Sequence, residues 1–514
     1  MSTAASATAG SGRGSPATAG AREWAALAVL TLPVLLITID MTVLGFAVPF
    51  LSEDLAPSGA QLLWIVDVYS FVLAGLLITM GTLGDRIGRR RLLLIGCAGF
   101  GAASLVAAYA PTAGVLIAAR ALLGVAGATL MPSTLSLIRN TFHDPRQRLM
   151  AIATWASMFS AGSALGPIVG GWLLERFHWG SVFLINVPVV AVALLVTPLL
   201  VRESRNPSPG RYDLASAALS LLAVLAVVYG VKTMADEGPS VTGGLAVALG
   251  LGVGYAFVRR QLRLTTPLID LKLFAIREFA VGVATNFTVV FTLISSLFFL
   301  TQYLQLVQGI SPMRAGLLLV PGLSMAVVMH FVAVALARRL RMGTVIVIGL
   351  ALAATGYAML TTLPMTDGAV FVGVGFGLIG MGAGVTDTLT NDAIMSAAPP
   401  SRAGAASAVS ETAYELGAAL GVALLGSVVT AMYRTGLESV PGVAASTMAE
   451  ARETLGGAVS AAQEAPQGAA ALLNAARAAF TDGVQMASLI ATVLIVAIAV
   501  HAGIMLRRRG QEET

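Results

Sequence analysis

Residues 403–430 read AGAASAVSETAYELGAALGVALLGSVVT. The run is longer than the roughly 20 apolar residues a bilayer crossing needs. It nevertheless keeps two acids, Glu411 and Glu415, where charge is most costly. Residues four apart on a helix share a face, with Cβ atoms about 5–6 Å apart. Gly417 and Gly421 fall roughly 120° around the same helix, at about 100° per residue. The spacing therefore predicts one face that packs and one that opens onto polar space. Two carboxyls so close titrate as a unit. Such a pair can hold a proton or exchange it for a cation.

The rest of the chain fits a membrane setting. Of its 514 residues 57% are hydrophobic and only 11% are charged, less than half the usual charged share of a soluble domain, about 25%. The apolar runs are continuous rather than alternating, which predicts helices and not a β-barrel. About fourteen runs qualify: 24–50, 62–82, 92–109, 114–138, 148–174, 181–201, 213–232, 242–260, 275–304, 313–336, 343–363, 368–392, 403–432 and 483–506. The fold class expected is an all-α polytopic membrane protein.

Charge in the loops gives the orientation. Basic clusters fall in alternate connections: Arg86 to Arg91, Arg139 to Arg148, Arg202 to Arg211, Arg259 to Arg277, Arg338 to Arg341, Arg402 and Arg507 to Arg509. The connections between them are short or acidic. By the positive-inside rule both termini are expected in the cytoplasm of a bacterial cell. The net charge of +5 is thus a topology signal, and no nucleic-acid partner is expected. Residues 1–23, rich in Ala, Ser and Gly, are expected to be a disordered cytoplasmic leader, and 507–514 a cytoplasmic tail. One external segment, 433–482, is long, and 445–480 suits a helix or hairpin outside the membrane. The single Cys97 excludes an internal disulfide. Four histidines and one cysteine without metal spacing argue against an enzyme or a metal site.

Several motifs carry chemistry. GTLGDRIGRR sets Gly81, Gly84 and Gly88 around Asp85, followed by Arg86, Arg89 and Arg90. Its glycines allow a turn and close helix approach, and its acid suits a neighbouring helix N-terminus. GSALGPIVGG sets Gly162, Gly166, Gly170 and Gly171 with Pro167 as a small-residue stripe for tight packing. Arg120 lies inside run four, where an arginine normally faces the bundle with a partner. Asp40 lies inside run one and is too short to reach water. Asp67 stands in the first turns of run two. Asp387 and Asn391 share a face of run twelve. Trp64, Tyr69, Trp155, Phe159, Phe287 and Phe291 are candidates for an aromatic pocket that holds cations against ring faces.

Taken together these segments resemble the major facilitator superfamily, specifically its fourteen-helix drug:proton antiporter branch of QacA-like multidrug exporters. The resemblance spans nearly all of 24–506. Gly81–Arg90 resembles the family's cytoplasmic loop motif, and Gly162–Gly171 its antiporter motif. Arg120 with Gly124 resembles the helix-four motif, with Leu123 in place of glutamine. Asp40, Thr42 and Pro49 resemble the helix-one motif, with Gly45 in place of asparagine. Run ten has no acid where QacA-type proteins carry one, and His330 is the only titratable candidate inside it. The resemblance implies a six-helix half over 24–201, an inserted pair over 213–260 and a second half over 275–506. It implies a monomer in lipid, driven by the proton-motive force without a cofactor. Asp40, Arg120, Glu411 and Glu415 would couple protons. Asp40, Asp67, Asp387, the two glutamates and the aromatics would bind lipophilic cations. The alternatives are an exporter of one metabolite or antibiotic on the same fold, and a non-transporting membrane receptor.

Overall fold

The computed structural model describes residues 19–507 apart from Ala56, Ser58, 206–212, 238–239, 265–266, 438–439, 441–442, 444–447, 450, 453 and 465–467. The expected leader, the tail beyond Arg507 and Arg211 lie largely or wholly outside these residues.

Lipid offers no hydrogen bonds, so each crossing must satisfy its own backbone. The chain does so with helices: α1 (Ala21–Leu55), α2 (Gly59–Ile87), α3 (Arg89–Ala108), α4 (Ala113–Thr141), α5 (Pro145–Arg176), α6 (Ser181–Leu184) and α7 (Asn186–Leu200). After these come α8 (Leu214–Glu237), α9 (Val241–Arg263), α10 (Arg277–Gln302), α11 (Pro312–Ala337), α12 (Met342–Leu360), α13 (Gly368–Ala397), α14 (Ala403–Gly436), α15 (Leu455–Glu464) and α16 (Ala469–Arg507). Among the described residues fourteen helical segments are long and apolar enough to cross a membrane, with α6 and α7 together forming the sixth, Ser181–Leu200. All fourteen expected crossings are present.

The last crossing differs from expectation. Its helix starts at Ala469, well before the apolar run at 483, and α14 continues to Gly436. At 1.5 Å per residue these helices span about 50–60 Å, well beyond a hydrocarbon core of about 30 Å. Their extensions form a helical projection. Tyr433 Oη donates to the Ala451 carbonyl at 2.6 Å, Arg452 Nε to the Leu437 carbonyl at 2.7 Å, and Arg477 Nε to the Leu306 carbonyl at 3.0 Å. Alanine-rich sequence forms helix readily but is too weakly apolar to register as a span.

Small residues set the spacing between helices. Gly162 and Gly166 of α5 lie against Thr38 and Thr42 of α1. Gly417 and Gly421 of α14 lie against the backbone of α10 at Phe287 and Phe291. In each case a Cβ would collide, so these stripes are packing faces, as their spacing predicts. Gly171 meets nothing within 4 Å.

Helices α8 and α9 pack on each other, and α8 touches both α2 and α14. Asp213 caps α8 through the Ala215 and Ser216 amides and receives a two-pronged contact from Arg260 of α9 at 2.9 and 3.0 Å.

Polar ties join the first seven helices to α13 and α14 at the basic end. Asp85 accepts from the Gly404 and Ala405 amides, at 2.9 and 3.1 Å, at the start of α14. Its neighbour Arg89 bonds Asp85 and reaches the Pro400 carbonyl at 2.9 Å. Arg148 pairs with Asp392 at 3.2 Å, and Arg139 donates to the Met395 carbonyl at 3.0 Å. Between α2 and α3, Gly88 adopts φ +113° with Glu203 packed where a Cβ would stand. Only glycine takes this backbone readily. Glu203 accepts from the Arg90 and Arg91 amides and so caps α3. These bonds tie the two groups of helices together at this end.

Candidate functional site

Two buried polar centres lie between the ends of the bundle. The first joins Asp40 of α1 to Arg120 of α4. Arg120 Nη1 donates to Asp40 Oδ2 at 2.7 Å, and its Nε donates to the Ile65 carbonyl at 3.1 Å. Asn186 Nδ2, on α7, contacts Asp40 Oδ1 at 3.3 Å and Ser104 Oγ of α3 at 3.1 Å. The guanidinium lies 4.6 Å from the Tyr69 ring centre. Asp40 and Arg120 are 3% and 2% exposed. Each charge thus has a partner and further polar contacts, which a buried ion pair needs in order to persist.

The second centre lies on α10, α11, α13 and α14. Asn286 Nδ2 donates to Ser410 Oγ at 3.1 Å, Ser410 Oγ to Asn391 Oδ1 at 2.8 Å, and Asn391 Nδ2 to Asp387 Oδ1 at 2.8 Å. Glu411, one residue beyond Ser410, is 3% exposed and lies within electrostatic reach of both Glu415 and Asp387. His330 Nδ1 shares a hydrogen bond with Thr388 Oγ1 at 2.8 Å. Glu415 in turn acts electrostatically on Tyr69, as do Asp40 and Arg120.

A cavity lies beside the second centre. Ala156, Phe159 and Ser160 of α5 face Asn286, His330, Asp387 and Tyr414 across it. Water has about 60 Å³ of access inside. That is room for a few waters and far below the 300–1,000 Å³ of a drug-sized pocket. A large substrate would require the helices to part. Phe159 and Tyr414 meet across the cavity with ring centres 5.4 Å apart.

The structure brings only some of the expected residues together. Phe159 and Asp387 line the cavity. Trp155 is fully buried behind Phe159, and its indole donates to Thr134. Trp64 is 44% exposed and stands edge-on to Phe71, away from the cavity. Phe287 and Phe291 sit where α10 meets the glycines of α14 and do not line the cavity. Asp40 and Tyr69 belong to the first centre. The side chains of Asp67, Pro49 and Pro167 lie outside the described residues. Tyr414, Asn286, Ser410 and Asn186 are site residues that the sequence reading missed. Tyr414 had a signal: it stands between the two glutamates within ETAYELG.

Helices crossing a bilayer in this number, with buried acids and a central cavity that joins two groups of helices, define a secondary transporter. The family model described as Major Facilitator Superfamily matches residues 30–422, and the chain belongs to that family. It is 49% identical to the multidrug efflux pump LfrA of Mycolicibacterium smegmatis, over 95% of this chain and 97% of LfrA. It is 38% identical to the methyl viologen resistance protein SmvA of Salmonella typhimurium, over 93% and 97% of the two chains. The crystal structure of the human organic anion transporter MFSD10 shares the fold at TM-score 0.57 and 16% identity, covering 92% of this chain and 99% of that one. The protein is a multi-pass membrane transporter with bacterial multidrug efflux relatives.

Proposed function

We propose that the chain is a proton-coupled antiporter that exports lipophilic organic cations from a bacterial cytoplasm. It would act by alternating access between halves 24–201 and 275–506, with 213–260 inserted beside them and both termini inside. One observation carries this reading. The helices carry the acids Asp40, Asp387, Glu411 and Glu415 within their apolar runs, and Asp40 is the one seen paired with Arg120 among the described residues. A cation entering between the halves therefore meets the carboxyls of Asp387 and Glu411, which form no ion pair among the described residues, and the aromatic faces of Phe159 and Tyr414 beside them. Similarity to a relative named for resistance to methyl viologen, an organic dication, supports the substrate class. In this reading Asp40 and Arg120 couple proton movement in the first half, and Glu411 and Glu415 exchange protons for substrate in the second.

The driving force is adequate. One charge crossing 100 mV is worth about 2.3 kcal/mol, and a tenfold proton gradient about 1.4 kcal/mol. One or two protons sustain a roughly hundredfold or larger substrate gradient. In proteoliposomes with an imposed pH gradient and no ATP, ethidium should accumulate against its gradient, and an uncoupler should abolish the accumulation. Accumulation that survives full collapse of pH difference and potential would refute proton coupling.

A further inference from the structure

We propose that Asp387 is a second proton-carrying carboxyl of the transport cycle, and that the small cavity beside it holds the water that delivers its proton. The inference rests on the proton-coupled reading above and extends it to a site that the glutamate pair does not include.

Three observations carry it. First, Asp387 Oδ1 receives Asn391 Nδ2 at 2.8 Å, the last bond of a string that starts at Asn286 and passes through Ser410. Every donor in the string points toward Asp387. Amides do not pass protons, so the string is a positioning device: it fixes Oδ1 and leaves Oδ2 for the proton. Second, Asp387 forms no ion pair among the described residues, unlike Asp40, Asp85 and Asp392. An unpaired charge is too costly in this setting, so the carboxyl carries its proton while the basic end is tied. Third, the cavity reaches Asp387 and has about 60 Å³ open to water. That volume suits a short water chain and excludes an organic cation.

The groups facing Asp387 are defined. Helix α11 presents His330, held by Thr388. Helix α14 presents Tyr414 at the cavity, with Glu411 and Glu415 on either side of it. Helix α10 presents Asn286, and α5 presents Phe159 and Ser160. Helix α12 packs on α13 through Gly349 and Gly356, and its Tyr357 is buried toward Thr292 and Ser296 of α10. Among the described residues no lysine or arginine lines the cavity. The step is a simple exchange: the Asp387 Oδ2–H bond breaks, a cavity water takes the proton as hydronium, and the carboxylate stays behind for an entering cation. The reverse reloads the site.

The string also ties the site to helix packing. It spans α10, α13 and α14, and α14 begins at the Asp85 clasp. When the clasp opens and α14 shifts, Ser410 moves, and Asn391 is released from its bond to Ser410.

The test is the plateau substrate gradient in proteoliposomes holding ethidium, with a pH difference of one unit and the potential clamped at zero. Each coupled proton then multiplies the gradient by about ten. Asp387→Asn keeps the shape of the side chain and removes the proton. It should lower the plateau about tenfold and release one proton fewer per ethidium bound in detergent. An unchanged plateau with an unchanged proton count would overturn the proposal. Asn391→Ala keeps the carboxyl and cuts the string. It should leave the plateau within twofold of the parent and move the pH midpoint of transport by more than about half a unit. A tenfold lower plateau in Asn391→Ala would show that the string, not the proton, matters, and would also overturn it. If Asp387→Asn does not fold, Asn391→Ala decides alone. A parent protein whose plateau ignores the pH difference would instead refute the proton-coupled reading itself.

Discussion

Asp40 and Glu411 are equally buried acids in one bilayer-spanning molecule, and they are handled in opposite ways. Asp40 is bonded by Arg120 at 2.7 Å and contacted by Asn186. Glu411 has two acidic neighbours within electrostatic reach, Glu415 and Asp387, and forms no ion pair among the described residues. A compensated charge can stay ionised and hold helices in place. An acid among acids must keep a proton or take up a foreign cation. The first centre is built to persist, and the second is built to change its occupant.

The comparison breaks first at Arg120. Arg120→Met should leave the Asp40 carboxyl buried without its cation, at a cost of about 3–5 kcal/mol, and transport should be lost. Adding Asp40→Asn should recover most of the stability, because a neutral pair needs no mutual compensation, but not transport. Asp40→Asn alone should insert normally and fail to couple protons. Thermal unfolding in detergent and proteoliposome transport together check these outcomes. A stable, active Arg120→Met protein would show that the ion pair holds nothing.

The second centre should respond differently. Glu411→Gln removes no ion pair among the described residues, so it should cost less than about 1 kcal/mol of stability. Substrate affinity of Glu411→Gln and of Glu415→Gln should instead fall about tenfold or more, and dications should suffer more than monocations. Because neighbouring acids are coupled, the double variant should differ from the sum of the singles by at least about 1 kcal/mol. Binding measured across pH for the wild type, both singles and the double tests this. Strictly additive losses would make the acids independent sites.

The ease with which each part can be read from sequence follows the same division. Spans and glycine stripes are local in sequence: all fourteen spans appear in the folded chain, and Gly162, Gly166, Gly417 and Gly421 pack as their spacing predicts. Asp387 and Asn391 share a face by spacing alone, and the structure adds their 2.8 Å bond. What joins distant segments was not legible. Arg120 and Asp40 each stood out as rare intramembrane charges, but nothing along the chain pairs residues 80 apart. Asn186, Asn286 and Ser410 are common residues without any local signature. Which aromatics line the cavity was not legible, for a reason peculiar to membranes. Lipid-facing and packing faces are equally apolar, so the sequence of Trp64, Phe287 or Phe291 carries no sign of direction. Glu203 was invisible because its role depends on Gly88, more than a hundred residues away.

The smallest effect sharpens the comparison best. Asp213 and Arg260 make the same kind of pair as Asp40 and Arg120, but at the water-exposed end of the inserted helices. Arg260 is 42% exposed in its side chain. Its two bonds hold the Asp213 carboxyl well below the usual carboxylate range, helped by the Ser216 hydroxyl and amide. The sign follows from that direction. A carboxyl whose folded pKa is depressed adds stability above its ordinary pKa, near 3.8, and loses it as pH falls through the lower folded value. Water screens the pair, so the contribution should be under about 1 kcal/mol. Asp213→Asn is the probe: asparagine caps α8 as well as aspartate does, while it removes the charge and the second acceptor oxygen that receives Arg260 Nε and the Ser216 hydroxyl. At pH 7 it should lower stability by a few tenths of a kcal/mol up to about one, less at high salt, and the gap to wild type should close below pH 4. Arg120→Met should show a far larger deficit that salt does not touch. If Asp213→Asn costs as much as Arg120→Met, or its cost ignores salt, then burial is not what separates the two pairs.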